Sequence, residues 1–245
     1  MTLIKNYHRP HNLDDALALL NRPGVASAVL AGGTHLNAHA EGVDEVIDLQ
    51  AAGLEGIKMA GDRLAIGAMT RLQALVDAEL APDLARQTAH AEGPNTFRNQ
   101  ATIGGVAAGA DAESELLAAL LVFEAEVRVQ TLAGSKSVAL SHFLGDVAGA
   151  LAGGIITEIT LATDGVAAGE RVARTPADKP IVAVVGRKTA DGRTLFAACG
   201  VAPSPILIDP DQLDSLDPPA DFRGSSEYRW EMVAVLVKRV VEHLH

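Results

Sequence analysis

The chain has 245 residues, 48% of them hydrophobic. That suffices to bury a core in one large domain or two modest ones at ~100–200 residues each. Its formal net charge of −11 argues against a nucleic acid or an anionic membrane as a non-specific partner, so a phosphate site has to be built locally from backbone dipoles or a few placed cations. The single cysteine, Cys199, rules out a disulfide framework and a cysteine-ligated zinc or iron–sulfur centre within this chain.

The apolar neighbours Phe196-Ala197-Ala198 mark Cys199 as a small buried residue rather than a reactive one. No run approaches the ~18 apolar residues of a membrane span, and the N-terminus lacks the apolar core of a signal peptide. A soluble, cytoplasmic protein is the expectation. Aromatic residues make up 3% of the chain, with Trp230 the sole tryptophan, so the core is aliphatic and there is no stacking platform for single-stranded nucleic acid.

In chain order, Leu13, Ala16, Leu17 and Leu20 after Asn12 predict a helix, with Asp14 and Asp15 at its positive end and Asn21-Arg22-Pro23-Gly24 stopping it. Ala26 to Leu30 reads as a short buried strand, and Val46-Ile47-Asp48-Leu49 as another. Gly61-Asp62 forms a hairpin turn between strands at 56–59 and 63–67. Residues 70–90 are helical in composition, with Pro82 opening a new helix. Asp111 is placed to cap a helix carrying Leu116, Leu117, Leu120 and Leu121, with Glu113 and Glu115 in its first turn. A hairpin around Gly134, a strand alternating from Ile155 to Leu161, and strands at 182–185 and 195–198 around Asp191-Gly192 follow. After a mostly irregular stretch from Pro203 to Gly224, Ser225 or Ser226 caps a closing helix with Val233, Leu236, Val237, Val240, Val241 and Leu244 on one face. Helices and strands mix without strict β-α-β alternation, which reads as α+β with a boundary near Thr163.

Two glycine pairs carry the chemistry. Val29-Leu30-Ala31-Gly32-Gly33-Thr34-His35-Leu36 and Arg98-Asn99-Gln100-Ala101-Thr102-Ile103-Gly104-Gly105 each set Gly-Gly beside a hydroxyl residue at the approach to a helix. Without a Cβ, backbone N–H groups reach an anion closely, and a helix start adds its dipole. Neither segment matches G-x-G-x-x-G or the P-loop, and either alone is equally well a tight turn. Together they favour two halves closing on one pyrophosphate.

Other candidates are weaker. His35 and His39 sit at i, i+4 but lack the Glu of H-E-x-x-H and a third ligand, so no metal is expected. Arg98-Asn99-Gln100 either touches phosphate or holds the loop. His243 and His245 read as a solvated tail, Arg174 and Asp178-Lys179 as a surface ion pair, and no nucleophile set stands out.

Three segments resemble a known family: Ala31-Gly32-Gly33-Thr34-x-Leu36, then Arg98-Asn99-x-x-Thr102-Ile103-Gly104-Gly105, then Ser114-Glu115-Leu116-Leu117-x-x-Leu120. This series is similar to the FAD-binding medium subunit of the molybdenum hydroxylases, the xanthine dehydrogenase, carbon monoxide dehydrogenase and aldehyde oxidoreductase type. Asp221-Phe222-Arg223-Gly224-Ser225-Ser226-Glu227-Tyr228-Arg229 resembles the family's late Ser-x-x-Tyr-Arg signature, and Ala198-Cys199-Gly200-Val201-Ala202-Pro203 its Gly-Val-Ala strand end. The resemblance runs over nearly the whole chain in the family's order.

The resemblance implies an FAD-binding domain of two α/β subdomains over residues 1–162, split near residue 55, and a smaller α+β domain over 163–245. It implies that Gly32, Gly33, Thr34, Gly104 and Gly105 offer backbone N–H groups to the pyrophosphate, with Leu30, Ala31, His35, Leu36, Thr102 and Ile103 beside the cofactor. Glu115 falls where the family often has Asp near the ribityl–phosphate part, and Arg171 opens the basic segment before the C-terminal strands. It also implies that a large molybdopterin-binding subunit and a small 2Fe-2S subunit carry the other centres, while FAD passes electrons to a small-molecule or protein acceptor. No side chain of this chain need be catalytic. Val106 replaces the family's usual Asn, Asp111-Ala112 its Ser-Pro, and Arg171-Val172-Ala173-Arg174 its Lys-containing run. A flavin-free scaffold subunit and a stand-alone flavin oxidoreductase are the alternatives.

Overall fold

The computed structural model describes residues 4–36 and 41–245. The first part comprises β1 (Asn6–His8), α1 (Leu13–Leu20), β2 (Ser27–Leu30) and β3 (Glu45–Asp48). Its strands form a parallel sheet in the order β1-β3-β2. Asn12 caps α1, its side chain accepting from Asp15 N at 2.8 Å. Every residue of the central strand β3 is buried, as a parallel strand with neighbours on both sides requires. Its two carboxylates are matched: Glu45 by Arg22 and His8, Asp48 by Tyr7 and Arg9.

The second part runs through β4 (Ile57–Ala60), β5 (Arg63–Gly67), α2 (Leu72–Asp77), α3 (Asp83–Ala91), α4 (Asn95–Arg98), α5 (Ile103–Gly109), α6 (Glu115–Val122), β6 (Glu126–Thr131), β7 (Gly134–Ala139), α7 (Leu140–Gly145), α8 (Val147–Leu151) and β8 (Ile155–Ala162). The five-stranded sheet is antiparallel in the order β4-β5-β8-β6-β7. The register shifts where β8 pairs with Arg128 and Val129, and this bulge changes the facing of β8. Ile155 therefore packs with Ala16, Leu17, Ile47 and Met69, while Ile156, Ile159 and Leu161 join the main core.

The last part holds β9 (Val166–Val172), β10 (Val182–Lys188), β11 (Thr194–Cys199), β12 (Ile206–Ile208) and α9 (Ser226–His243). Its antiparallel sheet has the order β12-β11-β10-β9. One face, with Val182, Val184, Phe196 and Ala198, packs on α9. The other, with Ala183, Val185, Ala197 and Cys199, joins the core that contains α6. All eight residues of α6 are buried, because it is covered by the last sheet, α3 and α7 and is apolar on nearly all sides. At ~1.5–3 kcal/mol for each fully buried large aliphatic side chain, its leucines fasten the middle of the molecule to the last sheet.

Several elements differ from the sequence expectation. Ser114, not Asp111, caps α6, accepting from Leu117 N at 3.1 Å, and Glu113 lies ahead of the helix. Asp111 instead closes a turn by accepting from Glu113 N at 2.9 Å. Strand β9 was not expected, since Val166-Ala167-Ala168-Gly169-Glu170-Arg171-Val172 lacks a run of large β-formers. Its pairing with β10 along seven residues makes it a strand. The short α4, α7 and α8 were likewise not read, being too short to show a helical period.

Candidate functional site

The two glycine segments meet. At Gly32 a Cβ would lie 2.8 Å from the carbonyl carbon of Gln100 and 3.1 Å from Cα of Ala101. Backbone therefore touches backbone where the first loop crosses the approach to the second, and no side chain fits between. Gly33 has φ +74°, a left-handed conformation open to glycine at little cost. Thr34 and His35 form an exposed turn. The sequence reading places a helix from Thr34 onward, and that expectation falls largely, with His39, outside the described residues. Among the described residues, no partner is found for the backbone N–H groups of Gly32, Gly33 and Thr34.

The second segment is built differently. Gln100 O accepts from Arg71, Leu72 N donates to Ala101 O at 3.0 Å, and Ile103 N donates to Thr70 O at 3.0 Å. Gly104 N donates to Ala68 O at 2.9 Å, and Gly105 N to the capping hydroxyl of Thr102 at 3.1 Å. The N–H groups that the sequence reading assigns to phosphate at Gly104 and Gly105 are thus engaged inside the protein. Gly104 instead permits close approach, since a Cβ there would stand 2.8 Å from both the Cβ and the carbonyl oxygen of Ala68. Arg98 is buried and donates to Gln73 Oε1 at 2.9 Å, Gly93 O at 2.6 Å and His90 O at 3.2 Å. Of its two readings, this is the one that holds the loop.

Between the segments lies an open, largely apolar cavity of about 130 Å³. Val29, Ala31 and Leu49 close it from the first sheet, and Ala68 and Met69 from the stretch after β5. Gly104, Gly105 and Ala108 of α5 form a third wall, and Leu151, Gly154, Ile155 and Ile156 a fourth. A volume this small, against the ~300–1,000 Å³ of a drug-sized site, takes only part of a dinucleotide. The loop at Gly32–Thr34 stands beside its Ala31 wall. The fourth wall escaped the sequence reading, although Gly153-Gly154 is a third glycine pair directly before a strand.

Of the candidate residues, Ala31, Gly104 and Gly105 line this cavity. Leu30, Gly32, Gly33, Thr34, His35 and Leu36 belong to the segment running out of β2 beside it, and Thr102 and Ile103 open α5. Glu115 and Arg171 do not line it. They pair with each other, Arg171 Nη1 to Glu115 Oε1 at 2.8 Å. Burial, with the nearby Glu92 carboxylate, raises the Glu115 pKa against the opposing pull of Arg171. Val106 is partly buried and packs on the core. Cys199 is fully buried, and desolvation drives its thiol pKa well up. Among the described residues, no cluster of His, Cys, Asp and Glu is placed to hold a metal ion.

Residues 3–162 match the model of the family described as FAD binding domain in molybdopterin dehydrogenase. The chain belongs to that family. It is 30% identical over 250 residues to uncharacterized protein YgfM of Escherichia coli strain K12, covering 96% of this chain and 94% of that one. It is 29% identical over 274 residues to the carbon monoxide dehydrogenase medium chain of Afipia carboxidovorans, covering 97% of this chain and 95% of that one. Among solved structures, the reconstituted CO dehydrogenase from Oligotropha carboxidovorans superposes with a TM-score of 0.85 at 26% identity, covering 100% of this chain and 98% of that one. The mixed helix-and-sheet architecture of this FAD-binding family member is therefore the one found in CO dehydrogenase. Among its described residues, no helix is long and apolar enough to cross a membrane.

Proposed function

We propose that this chain is the flavoprotein medium subunit of a heteromeric molybdenum hydroxylase, taking electrons from 2Fe-2S clusters on a small subunit and delivering them to a terminal acceptor. The observation that carries the reading is the cavity between the two glycine segments, with the N–H groups of Gly32, Gly33 and Thr34 at its side and without partners among the described residues. The residues fit FAD. Three successive backbone donors beside an apolar cavity suit a pyrophosphate joined to a ring, and at Gly105 a Cβ would meet only Thr102 Oγ1, at 3.0 Å, so the missing side chain leaves room there. The relatives support the reading by their names, which include a carbon monoxide dehydrogenase medium chain and a nicotine 6-hydroxylase medium subunit.

In this reading residues 1–162 form the FAD-binding domain, divided near residue 55, and residues 163–245 a C-terminal domain. Gly32, Gly33 and Thr34 donate to the pyrophosphate. Leu30, Ala31, Leu36, Ile103, Gly104 and Gly105 surround the cofactor and keep water from it. Thr102 holds the start of α5, His35 stands at the loop's exposed edge, and the Glu115–Arg171 pair forms a charged rim for the remainder of the dinucleotide. When bound, FAD supplies the ability to take electrons singly and release them as a pair. The chain's own work is to bind, orient and shield, without an acid or base. The large molybdopterin-binding subunit meets the oxidised substrate, and the complex works in the cytoplasm.

Purified protein should show flavin absorbance bands or take up FAD stoichiometrically. A colourless chain that binds no FAD overturns the reading in favour of a scaffold subunit. A monomer that reduces an acceptor with its own substrate, without partner chains, overturns it in favour of a stand-alone oxidoreductase.

A further inference from the structure

Every residue from Asp111 to Glu115, the connection between α5 and α6, is held from elsewhere in the chain. Lys179 pairs with Asp111. Gly200 N donates to Ala112 O at 2.6 Å. Arg223 makes a two-pronged ion pair with Glu113, Nη1 to Oε2 at 3.0 Å and Nη2 to Oε1. Ser114 Oγ donates to the buried Glu92 at 2.6 Å, and Arg171 pairs with Glu115 at 2.8 Å. All of these partners except Glu92 come from the C-terminal sheet unit. The grip continues inward: Arg223 also pairs with Asp221 at 2.8 Å, and Asp221 with buried Arg229 at 2.8 Å. Arg229 in turn donates to Ile181 O at 2.6 Å and Gly200 O at 2.7 Å.

Helix α5 needs such a hold. It spans seven residues and carries Gly104, Gly105 and Gly109, too short and too glycine-rich to persist by itself. Its start is fastened by Thr102, Ala68 and Thr70. Its end turns through left-handed Ala110, φ +45°, directly into the held segment. Asp111, Glu113 and Glu115 crowd there with Glu92, so without the opposing cations their carboxylates repel one another. The Glu113 and Arg223 side chains are only 21% and 19% exposed, so solvent screens their pairing less than that of a surface ion pair.

We infer that the C-terminal sheet unit is a clamp on the α5–α6 connection, and that this clamp sets how tightly the α5 wall of the cavity retains its cofactor. The inference rests on the FAD reading above. Glu113 and Arg223 are positioning residues in it, acting through α5.

The test uses full-length apoprotein titrated with FAD by flavin fluorescence, for wild type, Glu113→Arg, Arg223→Glu and the double exchange, with amide hydrogen exchange followed over residues 103–110. Each single reversal should weaken FAD binding at least tenfold and speed exchange in α5 at least tenfold, while the double exchange recovers at least threefold of each loss, recovery being incomplete because the carboxylate introduced by Arg223→Glu still faces Asp221. A uniform loss of stability would not be repaired in this pairwise manner. Folded single variants with FAD affinity and α5 exchange within twofold of wild type overturn the clamp. If a reversal does not fold, Asp111→Asn and Glu113→Gln take its place, with a smaller loss of the same sign expected and no change again overturning the inference. Wild type that binds no FAD overturns the FAD reading instead, and exchange in the apoprotein still decides whether the clamp holds α5.

Discussion

The same dipeptide does two different jobs at the two glycine segments. In the first, Gly32 presses on the backbone of Gln100 and Ala101, Gly33 takes a left-handed turn, and the N–H groups from Gly32 to Thr34 are left without partners among the described residues. In the second, the N–H groups of Ile103, Gly104 and Gly105 are all engaged by Thr70, Ala68 and Thr102. One segment offers donors; the other offers space. A Gly-Gly pair in sequence therefore marks a close approach without saying whether a ligand or the protein's own backbone makes it.

The largest effect should come from Gly32→Val. Its Cβ has no room against the Gln100 carbonyl, and the obstacle is backbone that has itself been fastened to Arg71 and Leu72. A loss of about 3–5 kcal/mol is expected, read by urea unfolding of the apoprotein. Gly104→Ala comes next, at about 1–3 kcal/mol for overpacking against Ala68, with FAD affinity falling because the cavity wall shifts. A Gly104→Ala protein of wild-type stability would remove the distinction between the segments, since it would leave Gly104 no packing reason to lack a side chain.

Gly33→Ala should separate binding from folding. The left-handed backbone costs a non-glycine residue about 1–2 kcal/mol, while FAD affinity should drop at least tenfold as the donor loop turns away. Thr102→Ala sharpens the contrast from the other side. Losing the cap should cost about 1 kcal/mol, yet Ala68 and Thr70 still hold the start of α5 and the Gly105 N–H is freed, so FAD affinity should hold to within about threefold. Thr102→Ser should restore the stability. If Thr102→Ala abolishes binding while Thr102→Ser rescues it at equal stability, the hydroxyl itself is the ligand contact.

Much of the frame was legible in the residues. The helix start after Asn12, the turn at Gly61-Asp62, the strand from Ile155 and the Ser225 cap each rest on local chemistry that the fold keeps, although the bulge opposite Arg128 and Val129 breaks the expected alternation between Ile155 and Ile159. What the residues concealed was decided at long range. Strand β9 exists through its pairing with β10. Asp111 resembles a helix cap but closes a turn and meets Lys179 instead. Arg98 is open in sequence to a phosphate contact as well as to the commoner role of holding the loop, and only the positions of His90, Gly93 and Gln73, which claim its donors, decide for the loop. The cavity's fourth wall comes from residues about fifty positions beyond Gly104, past a hairpin, where no local pattern connects them to it.

The smallest change, Gly105→Ala, discriminates most sharply because its two effects have opposite signs. Gly105 has helical backbone, so alanine gains up to about 0.5–1 kcal/mol of helix preference. Its Cβ meets only Thr102 Oγ1, at 3.0 Å, a hydroxyl able to give by a few tenths of an ångström. Stability should therefore stay level or rise slightly. The same methyl group projects at a residue that lines the cavity, so FAD should bind more weakly by several-fold. Thermal unfolding of the apoprotein and FAD titration of the same preparation read the two effects separately. A variant that loses stability and affinity together would mean that Gly105, like Gly104, serves the protein's own packing, and the space between the segments would then have to be assigned to something other than the cofactor.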